Sequence, residues 1–126
     1  MRIVLIGQAA FGEKVLQTLV KRGEDIIGVY MRPDIPGKTN PLKQLALQLG
    51  IPTFQPKRMR APSVYHEYLK LKPDLNIMAY VTSILPDSIV NYPRLGTIQY
   101  HPSLLPKHRG GSAINWAIIN GDTKTG

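Results

Sequence analysis

Short β-branched runs alternate with stretches of helical periodicity along the chain. Continuous apolar runs at Arg2–Gly7 and at residues 26–30 predict two strands that are buried on both faces. Between them, apolar residues from Phe11 to Val20 recur at helical spacing and stop at Gly23. Three further strands are predicted over residues 51–54, 75–81 and 96–101.

Four more helices are predicted, over residues 42–49, 64–71, 86–90 and 113–120. Ser63 and Ser112 are the expected N-caps of the second and fourth of these, and Pro86 is the expected first residue of the third. Residues 32–41 hold three prolines and a glycine and are predicted to form a loop.

The alternation of strands and helices with short connections predicts an α/β fold. We expect a Rossmann-like, open, mostly parallel sheet with helices on both faces. Residues 121–126 are typical of a turn that leads into another element. We therefore expect residues 1–126 to form one domain that is a fragment, truncated on its C-terminal side.

The composition of the chain excludes several classes of function and favours others. The chain of 126 residues has no cysteine, which excludes a disulfide framework, a cysteine zinc site and thiol catalysis. No apolar run approaches the ~20 residues that span a bilayer, so no membrane partner is expected. With 16 Lys+Arg against 8 Asp+Glu, the chain suits a polyanionic partner. Its basic clusters at 57–60 and 107–109 lack interleaved aromatics, and a nucleotide- or RNA-associated domain stays open.

Two loops at the predicted carboxyl ends of the strands are weak candidates for a site. Residues 7–12 lack the middle glycine of a dinucleotide turn, and no acidic residue ends the second strand, so a tight structural turn is favoured over nicotinamide binding. Residues 80–86 offer free backbone groups to a flat heterocycle, with Ile84 and Leu85 as apolar walls. From the pattern alone, a plain loop remains the stronger interpretation of that segment.

The segment 96–111 is the stronger candidate. Strand alternation places Gln99 and His101 on one side and Tyr100 on the other. An imidazole at the end of a strand, fixed by Pro102, suits proton transfer, and a half-buried histidine bonded to backbone is the equal alternative. The three histidines of the chain have no short ligand spacing, so no metal is expected.

The run His-Pro-Ser-Leu-Leu-Pro at residues 101–106 resembles the signature of the 10-formyltetrahydrofolate-dependent formyltransferase family. The resemblance extends over residues 50–56, 75–86, 96–111 and 117–126, and so over nearly the whole chain. Two features look most like the hydrolase domain of 10-formyltetrahydrofolate dehydrogenase. One is residues 33–38 with 41–42, and the other is residues 100–106 followed by 108–110 and 112–116. Residues 55–86 are also similar to methionyl-tRNA formyltransferase, although the loop at 31–41 is shorter than the tRNA-binding loop usual there.

This resemblance implies transfer or hydrolysis of the formyl group of 10-formyltetrahydrofolate, without a metal. The family's histidine is matched by His101, which would stabilise the tetrahedral intermediate and move protons, and Gln99 stands where the transferases usually carry asparagine. The family's folate-binding positions are matched by Ser83, Ile84 and Leu85, whose backbone would pair with the pterin, and by a pocket-shaping loop of Ser103, Leu104, Leu105 and Pro106.

The resemblance leaves the formyl acceptor open among Met-tRNA, a sugar-nucleotide amine, glycinamide ribonucleotide and water. The family's catalytic aspartate lies beyond the position matched by Gly126, and Asp122 belongs to the turn instead. We therefore expect this cytoplasmic chain to be nearly inactive alone and to self-associate through an exposed sheet edge. An inactive folate-binding module is the first alternative, and the nucleotide- or RNA-associated domain is the second.

Overall fold

The computed structural model describes residues 1–126 as one five-stranded sheet flanked by helices. All strand pairs are parallel, and the spatial order is β3-β2-β1-β4-β5. The strands are β1 Arg2–Gly7, β2 Asp25–Tyr30, β3 Thr53–Phe54, β4 Leu75–Ala79 and β5 Thr97–Gln99. The helices are α1 Ala9–Lys21, α2 Pro41–Gln48, α3 Pro62–Leu71, α4 Asp87–Val90 and α5 Ala113–Ile119. The predicted Rossmann-like fold class is confirmed.

The sheet is buried on both faces because side chains of β1 alternate between two cores. Ile3 and Leu5 join a cluster with Leu16 of α1 and Leu42 of α2. The opposite face holds a second cluster of eight buried residues: Val4, Ile6, Tyr30, Val64, Tyr68, Met78, Leu85 and Ile89. The continuous apolar run of β1 therefore reflects burial between two helical layers.

Three strands are shorter than predicted. β3 is limited to Thr53–Phe54, and β4 ends at Ala79, after which Tyr80 takes a positive φ of 58° that turns the chain out of the sheet. β5 ends at Gln99, so His101 lies in the following loop and not in the strand. Pro102 contributes to this early end, since a proline restricts the residue before it and cannot donate to the ladder.

The predicted helix starts need correction. Ala61 is the N-cap of α3 and Pro62 its first residue, so Ser63 lies inside the helix and is not its cap. Pro86 is the N-cap of α4 and not its first residue. Ser112 is the N-cap of α5, as predicted. Its backbone is left-handed, and its side chain makes no capping hydrogen bond.

One buried polar side chain, that of Asn76, joins four elements. Its Oδ1 accepts from the Tyr68 hydroxyl at 2.9 Å, and its Nδ2 donates to the Ile89 carbonyl at 3.0 Å and to Thr97 Oγ1 at 3.1 Å. The Thr97 hydroxyl in turn donates to the Val90 carbonyl at 2.7 Å. Burial raises the pKa of Tyr68 to about 12, so its hydroxyl remains a donor. This network fixes β4, β5, α3 and α4 relative to one another.

Apolar side chains are exposed on both β5 and α5. Ile98 of β5, an edge strand, is exposed. The apolar side chains of α5 that are exposed are Ile114, Trp116, Ile118 and Ile119. An edge strand with exposed apolar neighbours favours pairing with another chain, and self-association remains a prediction. None of the five helices has the length and hydropathy that a membrane crossing requires.

Candidate functional site

A cavity of about 570 Å³ lies at the carboxyl ends of β1, β2 and β4. It is lined by residues 6–8, 30–33, 35, 56–60 and 80–85. β1 is the strand at which the order of the sheet reverses, because β2 and β4 pair with its two sides. Ligands of open α/β sheets bind at this reversal point.

The rim of this cavity is strongly basic. Arg32, Lys57, Arg58 and Arg60 line it, and no aspartate or glutamate does. The Arg32 guanidinium also donates a hydrogen bond to the hydroxyl of Thr82, which ties the loop after β2 to the loop after β4. A cavity lined by four cations and by no carboxylate suits an anionic ligand group.

The Tyr30 hydroxyl is a buried polar group without a partner on the wall of the cavity. Tyr30 is fully buried, its ring stacks on Phe54 at 4.6 Å between centroids, and its hydroxyl makes no hydrogen bond within the chain. Burial, with a smaller contribution from the charge of Glu67, raises the pKa of Tyr30 well above its usual range. A buried donor left unpaired is unfavourable, so this hydroxyl is a cost to the fold that no group of the chain offsets.

The predicted pterin-binding residues Ser83, Ile84 and Leu85 form part of the same cavity wall. Leu85 is buried in the second core, whereas Ser83 and Ile84 are exposed. The loop is therefore anchored at one end by packing and leaves its backbone groups accessible at the other.

β5 lies beside β4, with Met78 paired to Gln99, so the loops after both strands lie at the same edge of the sheet. Beyond Gln99, the Tyr100 N–H still donates to the Met78 carbonyl at 3.3 Å. The Tyr100 ring packs on Phe11 of α1 at 5.0 Å between centroids. The Gln99 side chain is exposed and makes no hydrogen bond within the chain.

His101 is half-buried and belongs to a tightly bonded loop. Its Nε2 lies 2.9 Å from the carbonyl oxygen of His108, and its own carbonyl accepts from the Ser103 N–H at 2.8 Å. The hydroxyl of buried Ser103 donates to the Lys107 carbonyl at 2.7 Å. A carbonyl oxygen only accepts, so Nε2 of His101 carries the ring proton and Nδ1 has the free lone pair of the neutral ring.

The structure does not bring all predicted site residues into one cavity. Ser83, Ile84 and Leu85 line the basic cavity, whereas Gln99, His101 and Ser103 do not. Leu104, Leu105 and Pro106 line a second depression of about 590 Å³, together with Lys107 and Asp122. The predicted residues thus lie at or after the ends of the adjacent strands β4 and β5 and do not line one common cavity.

The sequence does not predict a contact between two side chains near His101, those of His108 and Asp122. The His108 ring donates from Nε2 to Asp122 Oδ2 at 2.6 Å, and this hydrogen bond lowers the pKa of Asp122 below its usual range. The two residues are separated by a loop and by α5, so no local spacing indicates their contact. No group of three metal-binding side chains converges in the chain.

A five-stranded parallel sheet flanked by helices defines a Rossmann-like α/β domain. The chain matches the formyl transferase family over residues 1–126 and belongs to that family.

Among its relatives, the chain is 44% identical to cytosolic 10-formyltetrahydrofolate dehydrogenase of Mus musculus, covering 100% of this chain and 14% of that protein. It is 43% identical to methionyl-tRNA formyltransferase of Alkaliphilus oremlandii, covering 100% of this chain and 43% of the other. The chain therefore spans a small part of the dehydrogenases and less than half of the transferases that it matches.

Solved structures share the fold. Phosphoribosylglycinamide formyltransferase from Bacillus halodurans superposes with a TM-score of 0.82 at 18% identity, over 100% of this chain and 69% of the other. A formyltetrahydrofolate deformylase from Pseudomonas syringae superposes with a TM-score of 0.76 at 19% identity, over 95% of this chain and 42% of the other.

Proposed function

We propose that this chain is the folate-binding catalytic domain of an enzyme that transfers or hydrolyses the formyl group of 10-formyltetrahydrofolate. The observation that carries the proposal is membership of the formyl transferase family over the whole chain. It is supported by the position of His101 in the loop after β5, at the same edge of the sheet as the basic cavity beside β4.

In the proposed reaction, a nucleophile attacks the formyl carbon attached to N10 of the folate. The new bond forms, the carbonyl oxygen becomes an oxyanion, and the bond from carbon to N10 then breaks. Neutral His101 takes the proton of the nucleophile at Nδ1, and the resulting imidazolium stabilises the oxyanion and delivers the proton to N10. The bond from His101 Nε2 to the His108 carbonyl supports this assignment of the two nitrogens.

The proposed folate site lies along the edge from the basic cavity toward His101. The backbone of Ser83, Ile84 and Leu85 pairs with the pterin, and the loop Ser103–Pro106 shapes the far side of the site. The cationic rim of the cavity binds the carboxylates of the glutamate tail.

The acceptor stays open between water, a tRNA, an amino sugar nucleotide and glycinamide ribonucleotide. Relatives at nearly equal identity are named as a dehydrogenase and as a methionyl-tRNA formyltransferase. Relatives are also named as cytosolic and as mitochondrial, and a cytoplasmic location remains our prediction.

Folate binding without turnover is the second candidate function. It is favoured by the hydrogen bonding of Asp122, whose carboxylate is bonded to His108 and not to His101. A formyl-release assay separates the two candidates, since an inactive module would bind folate and release no formate. Separate titrations of the purified chain with folate, NADP and RNA test which class of ligand the chain binds. We expect saturable binding of folate alone.

The replacement Gln99→Ala is expected to lower formyl transfer and formyl hydrolysis by less than about 10²-fold, the loss typical of a deleted oxyanion donor. The Gln99 amide is exposed and unbonded, and its extra methylene relative to asparagine displaces the amide from the ideal position. Both rates would be measured in the complete gene product beside Gln99→Asn. A loss of 10²-fold or more in both reactions would identify Gln99 as an essential donor.

Neutralising the rim with Arg58→Gln and Arg60→Gln together is expected to weaken binding of a polyglutamylated folate about 3- to 30-fold, because exposed charge pairs contribute modestly. Binding of the monoglutamate should change less, and added salt should reduce the difference. The matched control is Lys21→Gln with Arg22→Gln, two exposed cations outside the cavity at the end of α1. Equal losses for both folates would contradict a tail-binding rim.

A further inference from the structure

We propose that Asp122 and His108 are positioning residues that hold the ring of His101 in its working orientation. The catalytic consequence rests on the proposed function, whereas the positioning itself is a property of this chain. Two hydrogen bonds connect the end of α5 to His101. The first joins the Asp122 carboxylate to the His108 ring, and the second joins the His108 carbonyl to His101 Nε2.

The end of α5 fixes the backbone of Asp122. Gly121 takes a positive φ of 67°, and its N–H donates to the Ile118 carbonyl at 3.0 Å. The Asp122 N–H donates to the carbonyl of buried Ala117 at 2.9 Å. This is the hydrogen-bond pattern of a Schellman motif, which only a residue tolerant of the left-handed conformation permits at position 121. The carboxylate thus projects from a backbone that the fold holds in place.

The link from Asp122 to His108 is short and largely shielded. The nitrogen–oxygen distance is 2.6 Å, and the side chains of His108 and Asp122 are 12% and 18% exposed. The hydrogen bond from His108, with a smaller contribution from the charge of Lys107, lowers the pKa of Asp122, so its carboxylate is ionised at neutral pH. An ionised carboxylate only accepts, and His108 Nε2 must therefore donate.

The link from His108 to His101 uses the backbone. His108 has a φ of 50°, a left-handed conformation that is unfavourable for a residue with a side chain. Its imidazole is held by Asp122 while its carbonyl accepts from His101 Nε2 at 2.9 Å. Loss of the Asp122 contact would free His108 to leave this conformation, and the carbonyl would then move away from the His101 ring.

Two consequences follow for His101. Its ring is held by one nitrogen, which limits rotation about its side-chain bonds. The proton of the neutral ring is also kept on Nε2, so Nδ1 is the nitrogen that remains free to accept a proton. Asp122 and His108 act here only through His101, and neither needs to touch the folate.

The direct test is an NMR measurement on the 126-residue chain with isotope-labelled histidine ring nitrogens. In the unaltered chain, the Nε2–H proton of His101 should be hydrogen-bonded and exchange slowly with water. Asp122→Ala and His108→Ala should each speed this exchange at least about 10-fold, while His108→Gln, which keeps a donor for Asp122, should recover most of the protection. Asp25→Ala, an exposed aspartate at the opposite end of the sheet, is the matched control and should change nothing.

The second readout is the kinetics of formyl release by the complete gene product. Asp122→Ala and His108→Ala should lower kcat about 10- to 100-fold, the loss expected from a misplaced catalytic group, with KM for the folate nearly unchanged. His108→Gln should restore most of kcat. A purely structural role would instead lower stability and raise KM without this selective rescue.

The outcomes separate this proposal from the proposed function. Unchanged exchange of the His101 ring proton in Asp122→Ala and in His108→Ala would overturn the positioning role, whatever the activity. Should Asp122→Ala fail to fold, Asp122→Leu removes the acceptor while keeping the size of the side chain, and unchanged exchange there would also overturn it. If His101→Ala keeps full activity while Asp122→Ala and His108→Ala alter exchange of the His101 ring proton, the proposed mechanism is rejected and the positioning role stands.

Discussion

Replacing His101 with alanine is expected to lower formyl release by the complete gene product about 10²- to 10⁴-fold, the usual contribution of a general acid or base. The ring is half-buried, held at Nε2 by the His108 carbonyl, and retains Nδ1 for proton transfer. Folate affinity should change little, because the pterin and tail contacts proposed above belong to other residues. Initial rates of formate release and a folate titration would measure both quantities.

The control for this prediction is His66→Ala. His66 is exposed on α3 and makes no side-chain hydrogen bond, so its loss should leave the rate unchanged. If His101→Ala retains more than about a tenth of the activity, His101 is not the proton-transfer group that the mechanism requires.

The second large effect is on stability. Asn76→Ala should lower the free energy of unfolding by about 2 to 4 kcal/mol, because its hydrogen bonds to Tyr68, Ile89 and Thr97 are lost, only the long contact of 3.4 Å from the Tyr68 hydroxyl to the Ile89 carbonyl remains, and a cavity is left. Asn76 is completely buried, so solvent cannot replace these bonds without entering the core. Chemical denaturation of the 126-residue chain would measure the change.

Asn115→Ala is the matched control for that experiment. Asn115 is exposed on α5, and the same replacement there should change the unfolding free energy by less than about 0.5 kcal/mol. A loss of less than about 1 kcal/mol for Asn76→Ala would show that the network is weaker than the three hydrogen bonds of Asn76 indicate. Because Ile89 belongs to α4, we also expect the loop at 83–85 to become more mobile in Asn76→Ala.

The elements that sequence predicted well are those whose burial dominates their local preferences. β1 and β2 carry apolar runs that leave only one interpretation, and both were predicted to within one residue. The ends of β5 and the starts of α3 and α4 were wrong by one to several residues. The helix starts depend on which residue near Pro62 and Pro86 takes the cap position, and the end of β5 depends on how far pairing with β4 continues before Pro102, so local chemistry alone allows several choices.

The parts of the candidate site were predictable to different degrees. The loop at 83–85 was expected near a site because it follows a parallel strand, and it lines the basic cavity. The basic run at 57–60 was visible as charge, yet its position on that cavity depends on how β2, β3 and α3 pack. The burial of the Tyr30 hydroxyl without a partner depends on tertiary packing, and so does the contact of His108 with Asp122. No spacing along the chain reveals either feature.

Recognition of the family came from a short motif and not from periodicity. The pattern of residues 96–111 left catalytic and structural roles for His101 equally open, and the run 101–106 supplied the resemblance. Family membership is confirmed over residues 1–126. The roles of individual residues remain predictions that the experiments above address.

The most direct test of the account is a structure of this chain, or of the complete gene product, with a stable 10-formyl folate analogue bound. We expect the analogue to lie at the carboxyl edge of the sheet, with its pterin against the backbone of Ser83–Leu85 and its tail at the basic rim. The formyl group should then lie within about 3.5 Å of a ring nitrogen of His101, as a near-attack geometry requires. A bound analogue whose formyl group points away from His101, or which occupies another edge of the sheet, would contradict the account.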